Sequence, residues 1–458
     1  MNIFSTIAHA MQSVFNKEAD ELAKETGFIE RQRKITGSNF IKTLVFSWLQ
    51  PVSPAIEGLA RAGFTHDLHI SAQGLDQRFT EKACDFVKSV LERALSKVIK
   101  AEDVVDIEVL NRFSAVYVND CSVVTLPDEL KDSWEGSGGS HGTSKAALKV
   151  DASIELKTGQ LQFGLLQGKH SDSKSPMAES SYEKGALRLQ DLGYFNLARM
   201  KKQGEAGEYW ISRLQPGTQV LDKENQAIDL PRYLVKKAKE QCTQIEIEVT
   251  VGAKERVESR LLLWKLPQEA AGRRRAKLKE NARKQGRAPT TDILALCDWN
   301  LYITNVEKTK LSLEECFLLY SVRWQIELLF KLWKSHGQLG HSRSEKPYRI
   351  LCEVYCKLIV VLLQHWLVLT GLWDIPQRSL VKGTQMIREQ SARLADAMND
   401  FDTLVLLLEE LAKRFEIGCS LNRRKKKPCC STDITDFILK SAALKDATEI
   451  IPFKQVRG

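Results

Sequence analysis

The sequence predicts an α/β protein with a mostly β insertion and helical regions at both ends. Three observations carry the prediction. Apolar residues recur at three-to-four spacing from the start to about residue 105 and again from about 346, the period of an amphipathic helix. From about 106 the period changes to two, the mark of a half-buried strand. A helix-length stretch at 320–334, Y-S-V-R-W-Q-I-E-L-L-F-K-L-W-K, is apolar on every side but one.

The elements follow in order. Residues 1–26, 37–49, 53–62 and 81–99 carry helical spacing. Gly63 stops one helix, and Ser71 is placed to cap another running through Leu75 and Phe79. Two short helices and then a polar one (Gln73, Asp76, Gln77, Arg78) fit either a helix-turn-helix or a small bundle that touches no DNA. The connector 63–70 exceeds the usual turn of roughly 3–4 residues. A strand is expected at 114–121 with Asp120 at its end, then a flexible Gly/Ser loop at 136–144. Strands at 147–156 and 160–167 flank the turn 157–159. A short strand at 186–190 leads into D-L-G-Y-F at 191–195, followed by a helix at 196–203 and a strand at 208–214. This succession makes a mixed sheet with flanking helices. Residues 216–310 interrupt it with longer strands at 243–251, 257–267 and 299–306. Inside that insertion, 272–287 is basic: Arg273, Arg274, Arg275, Lys277, Lys279, Arg283, Lys284 and Arg287 face only Glu280. The segment suits DNA phosphates or a solvated helix. A second basic run, 423–427, suits DNA or a flexible tail. The divisions are therefore 1–105 (N-terminal helical), 106–215 (first part of the core), 216–310 (insertion), 311–345 (core helix) and 346–458 (C-terminal helical, for DNA or dimerisation).

Composition sets outer bounds. With 67 Lys plus Arg against 58 Asp plus Glu, the 458-residue chain carries a net charge of +9. The excess is modest but clustered, which allows a polyanionic partner. The ten cysteines form no C-x-x-C knuckle, so free, mostly buried thiols in a reducing compartment are expected. Residues 1–15 are amphipathic rather than a secretory leader, and the apolar stretch 358–373 is interrupted by Gln364 and His365. It is expected to be a core helix too short for a bilayer, in a cytoplasmic protein with no membrane partner. No G-x-x-x-x-G-K-[ST] loop is present, so no nucleotide cofactor is expected. His141, His170 and His336 find no Ser-His-Asp or Cys-His arrangement to join.

The stretch 320–334 carries the chemistry. At 100° per residue, Tyr320, Arg323, Glu327, Lys331 and Lys334 fall in one stripe about 21 Å long. Charges on an otherwise buried helix are costly unless paired or bound. Cations at intervals suit a run of phosphates, and the lone Glu327 suits a metal ligand. Asp120 and Asp191, each at a predicted strand end, are two further carboxylates. Taken singly, each reads as a cap or turn residue. Taken together with Glu327, they are hard oxygen donors suited to Mg²⁺ or Mn²⁺. Two such ions about 4 Å apart serve phosphodiester displacement.

Tyr320, Arg323, Glu327 and Lys334 reproduce the spacing Y-x-x-R-x-x-x-E-x-x-x-x-x-x-K. In this the sequence resembles the IS-four type of insertion-sequence transposase, a branch of the DDE transposases. Asp120, in V-Y-V-N-D-C-S-V-V-T-L-P, resembles the family's first acid with its following Leu-Pro; Asp191, in D-L-G-Y-F, resembles the second. The resemblance covers roughly residues 27–345, and Cys121 stands where many relatives carry Gly. It implies a ribonuclease-H-like catalytic core, two Mg²⁺ ions for which Mn²⁺ substitutes, and a homodimer synapsed on double-stranded transposon ends. By the same resemblance Asp120, Asp191 and Glu327 are catalytic and hold the metals. Tyr320, Arg323 and Lys334 would contact phosphates near the cut, and Lys331 matches a further lysine of that helix. Trp299 matches a Trp that stabilises a flipped base in hairpin-forming relatives; its other reading is a core Trp between strands. The implied function is cut-and-paste transposition, in which the element's ends are cleaved and the 3′ ends joined to target DNA. The alternative is a catalytically silent, transposase-derived DNA-binding protein or inhibitor. The intact acids and Tyr-Arg-Lys set speak against it.

Overall fold

A computed structural model of the protein describes residues 2–420, apart from 32, 33, 53, 103, 104, 106, 138–144, 285, 336, 341, 343 and 374–377 and the side chains of Trp324 and Gln325. Most of the Gly/Ser loop, His141, His336, the basic run 423–427, Cys429 and Cys430 lie outside the described residues.

The strands are β1 (Val116–Leu126), β2 (Ala146–Glu155), β3 (Leu161–Gln167), β4 (Leu187–Gln190), β5 (Tyr209–Arg213), β6 (Val220–Leu221), β7 (Gln244–Val251), β8 (Val257–Lys265) and β9 (Trp299–Thr304). They form one nine-stranded sheet in the order β3-β2-β1-β4-β5-β9-β8-β7-β6. Only β1–β4 and β4–β5 are parallel. The insertion's strands continue the same sheet, because β9 pairs antiparallel with β5 through Ile211↔Thr304.

The insertion is not mostly β. The helices Leu230–Lys239, Gln268–Lys284 and Thr291–Leu296 hold more of its residues than its strands do. Gln268–Lys284 buries only Ala271, so it has no apolar stripe for a periodicity reading to find. Pairs one turn apart support it instead, Arg273 with Glu269 at 2.8 Å and Lys284 with Glu280 at 2.9 Å.

The two helical ends merge into one body. Its axis is Pro347–Val368, 22 residues long and apolar enough to cross a membrane by length and composition. It is longer than the sequence suggested, yet its most apolar window is wholly buried. Glu81–Leu95 and Gly37–Leu49 pack on it, while Ile3–Ser13 packs on Phe401–Gly418. Gly37–Leu49 starts at a capping box. Thr36 Oγ1 accepts from Asn39 N, and Asn39 Oδ1 accepts from Thr36 N. A Cβ on Gly37 would lie 2.2 Å from the Ala19 carbonyl oxygen, so only glycine lets the two helices touch there.

Ser71 does cap a helix, by accepting from Gly74 N. That helix, Ala72–Asp76, is five residues long and leaves Phe79 outside. Five residues rise about 7.5 Å, too little for a groove-reading element, so the helix-turn-helix is not formed here. The described cysteines are free; Cys84, Cys316, Cys352, Cys356 and Cys419 are buried.

Candidate active site

The site grows from the parallel centre of the sheet. Asn119 on β1, Gln190 on β4 and Ser212 on β5 lie in one row of the register. The next residue on each chain is Asp120, Asp191 and Arg213. Side chains alternate across a strand, so this second row projects to the face opposite the first. Asp120 does not end its strand, as the sequence reading had it; β1 runs on to Leu126, paired there with β2 alone. What ends at Asn119 is the ladder to β4, and that opening frees the edge beside Asp120. Asp191 follows β4 directly and precedes a single 3₁₀ turn, Leu192–Tyr194.

The charged stripe covers this row, but not as one helix. Leu313–Val322 ends, Arg323 caps it, and Trp324–Ser335 begins. The break turns Arg323 inward. Its Nη1 donates to Asp120 Oδ2 at 2.8 Å and its Nη2 to Glu327 Oε1 at 2.9 Å, with Asp191 Oδ1 3.9 Å away. One guanidinium thus gathers all three predicted acids. Burial opposes its charge, but the surrounding acids outweigh that and raise its pKa above arginine's ordinary value. Burial pushes the Asp120 carboxyl up to about 6, with Asp191 and Glu327 adding to the rise and Arg323 opposing it. Among the described residues, no three carboxylate, imidazole or thiol groups stand ready to hold a metal ion; the centre of the acid cluster belongs to Arg323.

Tyr320 is buried. Its hydroxyl donates to the Gln190 carbonyl at 3.1 Å and stands 3.5 Å from Asp191 Oδ1, so it braces the second acid. Its ring packs on Tyr302 at 4.4 Å, and the Arg213 guanidinium lies 6.0 Å from its centroid. Arg213 and Tyr302 were not legible as site residues, since only strand pairing brings them to Asp191. Lys331 and Lys334 are exposed. Lys334 lies beyond Phe330 and Trp333 beside Ser122 and Val124, on the Asp120 face of β1.

The insertion's candidates divide. Arg274 donates to the Trp299 carbonyl at 3.2 Å and to Asn300 Oδ1 at 2.7 Å, while Arg275 pairs with Asp298 and Arg273 with Glu269. Trp299 is 2 % exposed, in a core with Trp210, Leu263 and Ile303. That placement corrects the base-stacking expectation: neither ring face is open. Alternation along β9 sends Trp299 and Ile303 into this core and Tyr302 to the acid side, and a register shift of one would exchange them.

Residues 111–363 match the transposase DDE domain family. The chain belongs to that family. It is 29% identical over 362 residues to the transposase for insertion sequence element IS231F of Bacillus thuringiensis subsp. israelensis, covering 75% of this chain and 76% of that one. It is 28% identical over 374 residues to the transposase for insertion sequence element IS1151 of Clostridium perfringens, covering 77% and 78%. The family resemblance carried by the Tyr320-Arg323-Glu327-Lys334 spacing is borne out. The transposase match takes in Asp120, Asp191, the whole stripe and the buried axis helix as far as residue 363.

Proposed function

We propose that the protein is an insertion-sequence transposase that cleaves the DNA backbone at the ends of its element and joins the freed 3′ ends to target DNA. One observation carries this reading: three carboxylates from two adjacent parallel strands and a helix share a single guanidinium. Three half-buried carboxylates outnumber the two guanidinium groups that face them, Arg323 in contact and Arg213 farther off, and call for more cation.

The strand order β3-β2-β1-β4-β5, with β2 antiparallel and β4 and β5 parallel to β1, supports a ribonuclease-H-like core over 106–215. Residues 216–310 then extend its sheet, and 311–345 return the third acid to it. The oxygen-only donor set fits hard divalent cations, and the Arg323 charge at its centre is itself a cation's place. Asp120, Asp191 and Glu327 would hold two Mg²⁺ ions, or Mn²⁺. Such ions, when bound, polarise a phosphodiester and favour ionised water beside it. Tyr320 fixes the turn that carries Asp191. Arg323 keeps the acids together and is a donor for a phosphate oxygen once they have another cation. Lys331, Lys334 and the basic helix Gln268–Lys284 offer phosphate contacts along the approaching duplex, with Arg274 already oriented by β9. Hydrolysis frees a 3′ hydroxyl at each end, and that hydroxyl attacks target DNA with loss of a target-strand oxygen as the leaving group. Two ends require two copies of the chain, so the working form is a homodimer on paired ends in the cytoplasm.

Glu327→Gln is the direct test. It should retain binding to element-end duplex in a gel-shift assay while losing Mg²⁺-dependent cleavage and strand joining. Cutting by this variant at the wild-type rate would overturn the assignment of the acids.

A further inference from the structure

Behind the acid face lies a second carboxylate, Asp151, that the reading above does not use. It stands on β2 directly opposite Cys121 and is 0 % exposed. A buried carboxylate is costly unless several donors meet it. Here they do. Tyr194 Oη donates to Asp151 Oδ1, Met177 N donates to Oδ2 at 2.7 Å, and Cys121 Sγ lies 3.5 Å from Oδ1.

We propose that Asp151 and Tyr194 are positioning residues that set where Asp191 stands relative to Asp120. This rests on the metal-holding role given to those acids. Tyr194 closes the turn that Asp191 opens, with Tyr194 N donating to the Asp191 carbonyl at 3.0 Å. Its buried ring then reaches from that turn behind β1 to β2. Lys149, two residues from Asp151 and so on the same face of β2, holds Asp172 against the turn. It pairs with Asp172 at 2.7 Å, and a Cβ on Gly193 would come 2.6 Å from Asp172 Oδ2. The turn is therefore bonded to β2 at Tyr194 and packed against the Lys149-held Asp172 at the residue before it.

The clamp matters because Arg323 holds Asp191 the least closely of the three acids. Asp120 and Glu327 each accept a close bond from the guanidinium, whereas Asp191 is 3.9 Å away and its side chain is the most exposed of the three, at 36%. Beside the Tyr320 hydroxyl, its place depends on the backbone of its turn. Packing alone needs no acid at 151 and no hydroxyl at 194, since Asn and Phe fill nearly the same volumes. The hydroxyl–carboxylate bond adds direction, which is what aiming a ligand requires.

The experiment is Mn²⁺ titration of the full-length protein, followed by calorimetry, beside thermal unfolding. Tyr194→Phe should raise the Mn²⁺ concentration for half-saturation roughly tenfold while its folded state persists at the titration temperature. Unchanged half-saturation overturns the proposal, whatever the change in Tm, since a merely structural bond would lower Tm alone. If Tyr194→Phe does not fold, Asp151→Asn is titrated and judged by the same criterion. Glu327→Gln separates the two layers of inference. If it leaves wild-type Mn²⁺ binding untouched, the acids are not the metal ligands; if it abolishes binding and Tyr194→Phe has no effect, only the clamp is wrong.

Discussion

Two helical stretches of this protein are almost equally apolar, yet they do different things with their charges. The axis helix Pro347–Val368 buries Glu353 and Lys357 one turn apart. They pair at 2.8 Å, Ser342 Oγ donates to Glu353, and Lys357 donates to the Gln338 carbonyl. Charge is balanced, and the pair ties down the chain that follows the stripe. The stretch Leu313–Ser335 has an acid and a base at the same spacing, Glu327 and Arg323, also in contact. There the sheet adds Asp120 and Asp191 against Arg213 alone, and acids stay in excess. A neutral buried pair is architecture. A cluster with more acids than bases is held in a state that a further cation would relieve.

That contrast can be broken from either side. The largest effect is expected on the architectural side. Lys357→Met leaves Glu353 buried without its cation and should cost about 3–5 kcal/mol, read by denaturant unfolding, with Mn²⁺ half-saturation of the folded protein unchanged. A loss below about 1 kcal/mol would mean that the pair is no more than a surface bridge.

On the site side, the sign should reverse. The Asp120 carboxyl is raised from 3.8 to about 6 in the fold, chiefly by burial. Folding therefore favours its protonated form, so its contribution is fully present below the unfolded value and is lost as pH rises through the folded one. In metal-free protein, Asp120→Asn should stabilise the fold near pH 8 by up to about 3 kcal/mol, a gain that shrinks towards pH 4. Equal stability of the two proteins across that range would remove the burial cost from the comparison.

The smallest effect lies at the end of the stripe. Lys334→Ala should weaken binding to element-end DNA and flatten the logarithmic salt dependence by about one phosphate contact. An unchanged slope would show that this end of the helix does not meet the backbone.

Much of the core was readable because its signals are local. The period-two runs before β2, β3, β4 and β5 located those strands to within a residue or two, since alternation is a property of neighbouring side chains. The polar helix Gln268–Lys284 gave no apolar period and was expected only as one of two readings of 272–287, while the two-residue β6 gave no signal at all. The three acids, expected from separate segments, stand together around Arg323, a partner the sequence had not suggested for them. Arg323 was expected to face phosphate, and it faces the acids. Tyr194 stood out only as part of D-L-G-Y-F, and nothing in the strand expected at 147–156 singled out Asp151. Trp299 shows the limit most directly, for its strand was placed to within two residues while its side stayed open between stacking a base and packing in the core.

By itself, the chain of residues determined the helix and strand periods, the spacing of Tyr320, Arg323, Glu327 and Lys334, and through that spacing the transposase family. Those features are written within a few turns of one segment. Only the tertiary structure decided which face of β9 meets the acids, that the insertion lengthens the sheet, and that Asp151 meets Tyr194 of the Asp191 turn. The physical reason is distance along the chain. Arg323 and Asp120 are 203 positions apart when they bond, and Tyr194 and Asp151 are 43 apart; strand register brings such pairs together, and no local pattern encodes it.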